Sequence, residues 1–420
     1  MNAESILQSY QHFGVHLGLE RIKQLLEKLD NPHQKVPIIH IAGTNGKGSV
    51  CAYLSSVLTE AGYRVGRYTS PHLIDWTERI CINQKPISPT ELQQCLERVV
   101  AATTNNTETP TQFEIITAAA WLYFAKQKTD IAVIETGLGG RLDATNVCET
   151  PLASVITSIS LEHWQILGPT VADIAGEKAG ILKAKCPAVI GELPESARIV
   201  VEKRIQELDC PATWVKPAID VGQGFAEYQL KQNAVKIKYQ LPLLGKIQLM
   251  NSAISIATLQ TLQNQGWQIS PTAIENGIAK TQWPGRLQQT TWKNRKILID
   301  GAHNPAAAIA LREYVDNLNS SQPINWVIGI LATKDCDDIL KALLKKGDRL
   351  YLVPVPDQNS SSPAELATLA QIICPELTLC QAFPHLTTAL DAAVTGDNLT
   401  ILCGSLYLVG YFLQQQQSQA

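Results

Sequence analysis

The stretch HIAGTNGKGSV, His40 to Val50, decides how the rest of the chain is read. It ends the apolar run VPIIHIA (36–42), a buried-strand signal, and leads into SVCAYLSSVLTEAG (49–62), a helix signal stopped by Gly62. A glycine-rich turn between a strand and a helix suggests a phosphate-binding loop, whose usual pattern is G-x-x-x-x-G-K-[ST]. Gly46 and Lys47 fit that pattern, but Ile41 replaces its first glycine and Gly48 separates Lys47 from Ser49. The means of holding an anion are nevertheless present. Gly43, Gly46 and Gly48 let backbone N–H groups turn inward around phosphate oxygens. The helix N-terminus adds about half a positive charge. Lys47 supplies a full charge and Ser49 a hydroxyl for the phosphate or its metal. A tight turn with a solvated lysine is the plainer reading, and it leaves this concentration of donors unexplained.

The alternation continues outward from this loop. ISPTELQQCLERVV (87–100) opens with Ser88 and Glu91 at capping-box spacing and has Pro89 in its first turn. FEIITAAAWLYFAKQ (113–127) predicts a buried helix, DIAVIETG (130–137) and LASVITSI (152–159) predict buried strands, and VADIAGEKAGIL (171–182) predicts a helix. AVKIKYQL (234–241) alternates strictly, with Val235, Ile237, Tyr239 and Leu241 on one face, as a half-exposed antiparallel strand in a side sheet would. Helices are expected at 249–265 and 271–281. The polar WPGRLQQTTWKNRK (283–296) reads as a linker. Beyond it the strands KILID (296–300), NWVIGIL (325–331), RLYLV (349–353) and LTILCG (399–404) alternate with helices at 304–317, 335–346 and 363–373, and a last helix closes the series. The tail QQQQSQA reads as frayed. Repeated βαβ units require mostly parallel sheets covered by helices. The expected fold is α/β, with a P-loop-type mostly parallel N-terminal domain that carries a small antiparallel side sheet (1–287), a linker (288–296) and a smaller Rossmann-like C-terminal domain (297–420).

Ligands of such sheets bind at the carboxyl ends of the strands, and the polar residues gather there. Besides the loop Gly43–Thr44–Asn45–Gly46–Lys47–Gly48–Ser49, these ends carry Glu135 with GLGGRLDATN (137–146), Glu162 with His163, Asp300 with GAHNP (301–305), and Gly404 with Ser405. A nucleotide polyphosphate brings Mg²⁺, which takes oxygen ligands. A carboxylate ending a buried strand, such as Glu135, suits that role, and backbone donors would satisfy it equally well.

The bulk numbers agree with an enzyme. The chain has 420 residues, 45% hydrophobic and 17% charged, with a net charge of -3, so no general polyanion binding is indicated. Its ten cysteines form no C-x-x-C pair, so neither a zinc nor a dithiol site is signalled. No signal architecture opens the chain, and no apolar run reaches the roughly 18 residues a spanning helix needs. The expectation is a cytoplasmic protein with no nucleic-acid or membrane partner.

Taken in order, GLERIKQLLEKL (18–29), GTNGKGS (43–49), TSPHL (69–73), ERI (78–80), TQFE (111–114), ETGLGGRLDATN (135–146), EHWQILG (162–168), IAGEKAGILK (174–183), WPGR (283–286), DGAHNP (300–305), KD (334–335) and GSLYLVG (404–410) resemble the folylpolyglutamate synthase/dihydrofolate synthase branch of the Mur ligase superfamily. The resemblance spans nearly the whole chain. It implies ATP-dependent ligation of L-glutamate to a folate carboxylate through an acyl phosphate, and members of this size often act on dihydropteroate as well. By the same resemblance, Lys47 and the Gly43–Ser49 backbone cradle the triphosphate. Ser70, Glu135 and His163 hold Mg²⁺. Lys178 matches a lysine the superfamily often carbamylates, with a solvated helix lysine as the plainer reading. Gln248 and Asn251 match positions near the nucleotide base. Arg286 matches a phosphate-reaching arginine, Asp300 and His303 match residues that close on ATP and glutamate, and Ser405 lies near glutamate. A monomer is implied.

Three departures stand out. Ile247 replaces the family's histidine before Gln248, Glu162 replaces an aspartate before His163, and VPVPDQNSSSP (353–363) lacks the family's arginine. A peptidoglycan-precursor ligase is an alternative, against which stand the inserted Gly48, TSPHL, and a DGAHNP without the aspartate–tyrosine that those enzymes carry. A regulatory nucleotide switch is another; TKD (333–335) faintly resembles a guanine-reading motif, but in the wrong context.

Overall fold

The computed structural model describes residues 2–11, 16–103, 108–229, 236–318 and 322–419. The chain forms two compact units, one of Met1–Pro242 with Gln248–Gln282, the other of Leu243–Ile247 with Trp283–Ala420.

In the first unit, eight strands form one sheet: β1 (Ile38–Ala42), β2 (Val65–Tyr68), β3 (Ile80–Ile82), β4 (Lys85–Pro86), β5 (Ile131–Glu135), β6 (Ala153–Ile156), β7 (Ala188–Ile190) and β8 (Ala212–Trp214). Their order is β4-β3-β2-β5-β1-β6-β7-β8. The six strands from β2 to β8 in that order run parallel, and β3 and β4 add an antiparallel edge. The parallel strands are apolar because helices cover both faces, and β1, β5 and β6 are buried along their whole length. Helix Gln112–Lys126 begins at a capping box between Thr111 and Glu114 and buries most of its length, including Trp121 and Phe124. Each such side chain contributes about 1.5–3 kcal/mol by leaving water. Ser88 caps helix Pro89–Ala102, its hydroxyl accepting the Glu91 N–H at 3.2 Å.

The side sheet is antiparallel, in the order β11-β10-β9, from β9 (Ile219–Gly222), β10 (Phe225–Gln229) and β11 (Lys236–Gln240). In β11 the expected alternation holds, with Ile237 and Tyr239 buried and Lys236, Lys238 and Gln240 exposed. Val235 lies outside the described residues.

The second unit holds β12 (Gln288–Trp292), β13 (Arg295–Ile299), β14 (Asn325–Ile328), β15 (Arg349–Leu352), β16 (Leu379–Ala382) and β17 (Thr400–Cys403), in the order β12-β13-β17-β14-β15-β16. All pairs are parallel except β12 with β13. Its core surrounds Trp326, whose indole N–H donates to the buried Asp348 at 3.0 Å; Arg312 bonds the same carboxylate at 2.6 Å.

Two expectations are corrected. The stretch read as a linker at 288–296 is a hairpin of the second sheet, pairing Gln288 with Ile299 through Trp292 with Arg295. It looks polar because β12 is an edge strand with one wet face, anchored by the buried Trp292. Leu287 also belongs to this unit, since it is buried in the core and donates its N–H to Asp300. The tail read as frayed is helical as far as Gln419: helix Leu406–Gln419 runs through the glutamines, and Leu408, Val409 and Phe412 on it are buried. Among the described residues no helix is long and apolar enough to cross a membrane.

Candidate active site

The first unit builds its site around the loop after β1. Thr44 donates its N–H to Ser158 O at 2.7 Å, and Asn45 donates its N–H to Ser158 Oγ at 3.1 Å. The Thr157 hydroxyl returns a bond to Asn45 O at 2.6 Å. The loop is thus clamped to the segment after β6. Gly43 is required by this closeness, because a Cβ there would lie 1.9 Å from Thr157 Oγ1. Gly46 is left-handed at φ 88, and its Cβ would meet Asn251 Oδ1 at 2.5 Å. Helix Lys47–Glu60 starts here with no side-chain cap.

Two lysines meet at one carbonyl. Lys47 Nζ donates to Gly43 O at 2.9 Å and Thr44 O at 3.1 Å; Lys178 Nζ donates to the same Gly43 O at 2.8 Å. Lys178 is buried on helix Val171–Ala179. Burial, then the charge of Lys47, pull its pKa down to about 7, against the opposing pull of Glu162 and Asp143. The plainer reading of Lys178 as a solvated helix lysine is therefore corrected. Gln248 and Asn251 are both buried against the loop; Gln248 Nε2 donates to Ser49 Oγ at 3.4 Å, and Asn251 Nδ2 donates to Gln248 Oε1 at 3.1 Å. Ile247, at the histidine position, is 40% exposed.

Glu135 closes β5 and is 5% exposed, its Oε2 accepting the Ser70 N–H at 3.1 Å. His163 has a left-handed backbone at φ 51, and its Nε2 stands 3.8 Å from Glu162 Oε1. Its side chain is 42% exposed. Among the described residues no three His, Cys, Asp or Glu side chains converge as a preformed metal cluster. Mg²⁺ bound with a polyphosphate needs only one or two protein carboxylates, and Glu135 at the strand end fits that requirement.

Sequence reasoning missed the residues that hold this site in place. Asp143 is buried, and it accepts four hydrogen bonds: from the N–H groups of Gly137 (3.0 Å) and Leu138 (2.8 Å), and from the N–H (3.0 Å) and hydroxyl (2.5 Å) of Thr145. Burial raises its pKa, and these donors oppose the rise. Thr145 in turn meets the buried His40. A histidine inside the apolar run IIHIA was the one available signal.

In the second unit, Asp300 directly follows β13. Its Oδ2 accepts the Leu287 N–H at 2.8 Å and its Oδ1 the Ala302 N–H at 2.7 Å; burial raises its pKa, with Arg286 and His303 among the groups lowering it. His303 Nδ1 lies 2.7 Å from Gly301 O. A Cβ on Gly301 would strike Leu406 at 2.2 Å and lie 3.2 Å from Arg286 Nη1. Gly404 donates its N–H to Ala302 O at 3.0 Å and brings the buried Ser405 alongside. Arg286, Asp300, His303 and Ser405 therefore share one corner of this unit.

A lysine-lined loop at the end of a parallel strand, in a chain that also builds a separate α/β unit, is the arrangement the resemblance to the Mur-type ligases implied. The Mur ligase middle domain matches residues 41–259, and the dihydrofolate synthetase C-terminal domain matches residues 284–415. The chain is 35% identical over 406 residues to a probable dihydrofolate synthetase of Schizosaccharomyces pombe, covering 94% of this chain and 97% of that one. It is 33% identical over 422 residues to the dihydrofolate synthase/folylpolyglutamate synthase of Bacillus subtilis, covering 97% of each. The structure is similar to that of Mycobacterium tuberculosis folylpolyglutamate synthase complexed with ADP and AMPPCP, with a TM-score of 0.86, 29% identity and 99% coverage of each chain. The chain belongs to the folylpolyglutamate synthase/dihydrofolate synthase family of the Mur ligase superfamily, and is an ATP-dependent, amide-forming ligase.

Proposed function

We propose that this chain joins L-glutamate to the carboxylate of a folate-type acceptor with ATP, and that it accepts dihydropteroate as well as reduced folates. The observation that carries the reading is the convergence of Lys47 and Lys178 on the Gly43 carbonyl beside an uncapped helix N-terminus. In the reaction, an acceptor carboxylate oxygen attacks the γ-phosphorus and ADP leaves. The glutamate amine then attacks the acyl carbon, loses a proton and expels phosphate. A free carboxylate is a poor electrophile, so the protein's work is to position the reactants and neutralise charge.

In this reading the Gly43–Ser49 backbone and Lys47 hold the phosphates, and Gln248 and Asn251 support the loop from behind. Glu135, with Ser70 and His163, would hold Mg²⁺, which supplies charge neutralisation at the phosphates. Lys178, drawn down to about 7, has an uncharged fraction at neutral pH. Such an amine can add CO₂ and release a proton to form a carbamate. Arg286, Asp300, His303 and Ser405 are assigned to nucleotide phosphate and glutamate. The division into a nucleotide-binding N-terminal part and a glutamate-handling C-terminal part belongs to this proposal, as does a cytoplasmic monomer without nucleic-acid or membrane partners.

The test is purified protein with ATP, Mg²⁺ and glutamate, offered tetrahydrofolate or dihydropteroate in parallel. ADP and a product heavier by one glutamyl residue are expected with both. No ADP with either acceptor would sink the reading.

A further inference from the structure

His40 is a polar side chain in the middle of an apolar central strand. It is 1% exposed, sits between Ile39 and Ile41 on β1, and pairs across the sheet with Ile134 and Ser154. An imidazole buried in such a place costs free energy unless it is hydrogen-bonded. Its Nε2 lies 2.9 Å from Thr145 Oγ1. Burial pushes its pKa down to about 3, so the ring is neutral at working pH.

The direction of the bonds follows from the donor inventory. Three backbone N–H groups converge on Asp143 and favour the carboxylate. A carboxylate only accepts, so Thr145 donates its single hydroxyl proton to Asp143. The Thr145 oxygen can then only accept from His40, which fixes the Nε2–H tautomer of the ring. At the far end, Asp143 holds Gly137 and Leu138, the turn directly behind Glu135 and Thr136.

We propose that His40 is a positioning residue for the ligation: acting through Thr145 and Asp143, it fixes the turn that directly follows Glu135 at the end of β5. The inference rests on the ligase reading above. The nucleotide loop has separate ties, Thr44 and Asn45 to Ser158. Loosening the relay therefore displaces Glu135 and leaves the grip on the nucleotide intact. A merely structural role for His40 would loosen both, since the loop continues from the same strand.

The experiment compares His40→Phe and Thr145→Val, which break the relay, with His40→Gln and Thr145→Ser, which keep a donor or a hydroxyl. The breaking pair should lose about tenfold or more in kcat, with the Kd for ADP within twofold of the parent. The conservative pair should recover most of the rate. Nitrogen-15 NMR of labelled histidines should show one ring protonated at Nε2 alone from pH 5 to pH 8, its resonance shifting in Thr145→Val. A parent-like kcat in both breaking variants, a parallel fall of kcat and ADP affinity, or an Nδ1–H tautomer overturns the proposal. A parent enzyme inactive with both acceptors counts against the ligase reading instead, and the tautomer then decides the relay by itself.

Discussion

The loop after β1 and the loop after β13 follow one plan: a buried strand, a glycine-containing turn, a helix. They part where the helix begins. Helix Lys47–Glu60 starts from a left-handed Gly46 with no side-chain cap. Helix Pro305–Asn317 starts from Asn304, whose Oδ1 accepts the Ala307 N–H at 2.9 Å, and has Pro305 at its first position. Proline has no N–H to satisfy, and the asparagine uses one of the remaining donors. The ionisable groups differ in the same sense. Lys47 and Lys178 crowd the first loop, whereas the Asp300 carboxylate ties the second one down. Strand–turn–helix topology alone does not make an anion site. Free helix donors with cations beside them do.

The comparison is broken most directly at Lys47. Lys47→Ala should lower kcat/KM by about 10²–10³-fold or more, with little change in thermal stability. Normal turnover in that variant would remove the reason for setting the two loops apart. Gly43→Ala attacks the same loop through packing. Its Cβ would fall 1.9 Å from Thr157 Oγ1, so the clamp to the β6 side must open. We expect a loss of about 3 kcal/mol in chemical denaturation together with weakened ADP binding. An unchanged midpoint would mean that the clamp is slack.

The sequence makes the first loop readable because its signals are local: glycines, a lysine, and a strand and helix on either side. The same holds for the Ser88 cap and for the Ile237/Tyr239 alternation. The β12–β13 hairpin escaped because its polar, wet-faced edge resembles a linker in composition. Its turn did leave a trace, since Lys293 and Asn294 are both left-handed, at φ 46 and 63, as a two-residue hairpin requires. Of the relay from His40 to Asp143, only a histidine inside an apolar strand showed in the sequence; its partners did not. Its members lie about a hundred positions apart in sequence and meet only because β1 and β5 are neighbours. The convergence of Lys178 on Gly43, 135 positions away, was not legible either; resemblance singled out Lys178 but not its contact with the loop.

Lys178 sharpens the comparison through pH. Burial and the charge of Lys47 pull its pKa from 10.5 to about 7. Between those values the unfolded chain binds more protons at this site than the folded chain does, so its contribution to stability rises with pH. Below pH 7 the full penalty of burying the charge applies; above about 10.5 none remains. The slope is at most about 1.4 kcal/mol per pH unit. Denaturation curves at pH 7, 8 and 9 should show Lys178→Met losing that slope relative to the parent. Parallel pH dependences would mean that the ammonium keeps its ordinary pKa.

The smallest effect belongs to the second loop, and it is the one that tests what a cap means here. Asn304→Ala removes the acceptor for the Ala307 N–H, which costs about 1 kcal/mol and should lower the melting temperature by a few degrees. The helix behind it is otherwise held by the buried Ala308, Leu311 and Val315, so the fold survives. If Asn304 only caps, ADP affinity and the KM for glutamate stay within twofold of the parent. Asn304→Asp keeps an acceptor oxygen and should restore the melting temperature. Should Asn304→Ala leave stability untouched and raise the KM for glutamate tenfold, the asparagine side chain is a ligand contact rather than a cap. The second loop would then be a binding loop as well, and the contrast at the two helix starts would no longer separate their roles.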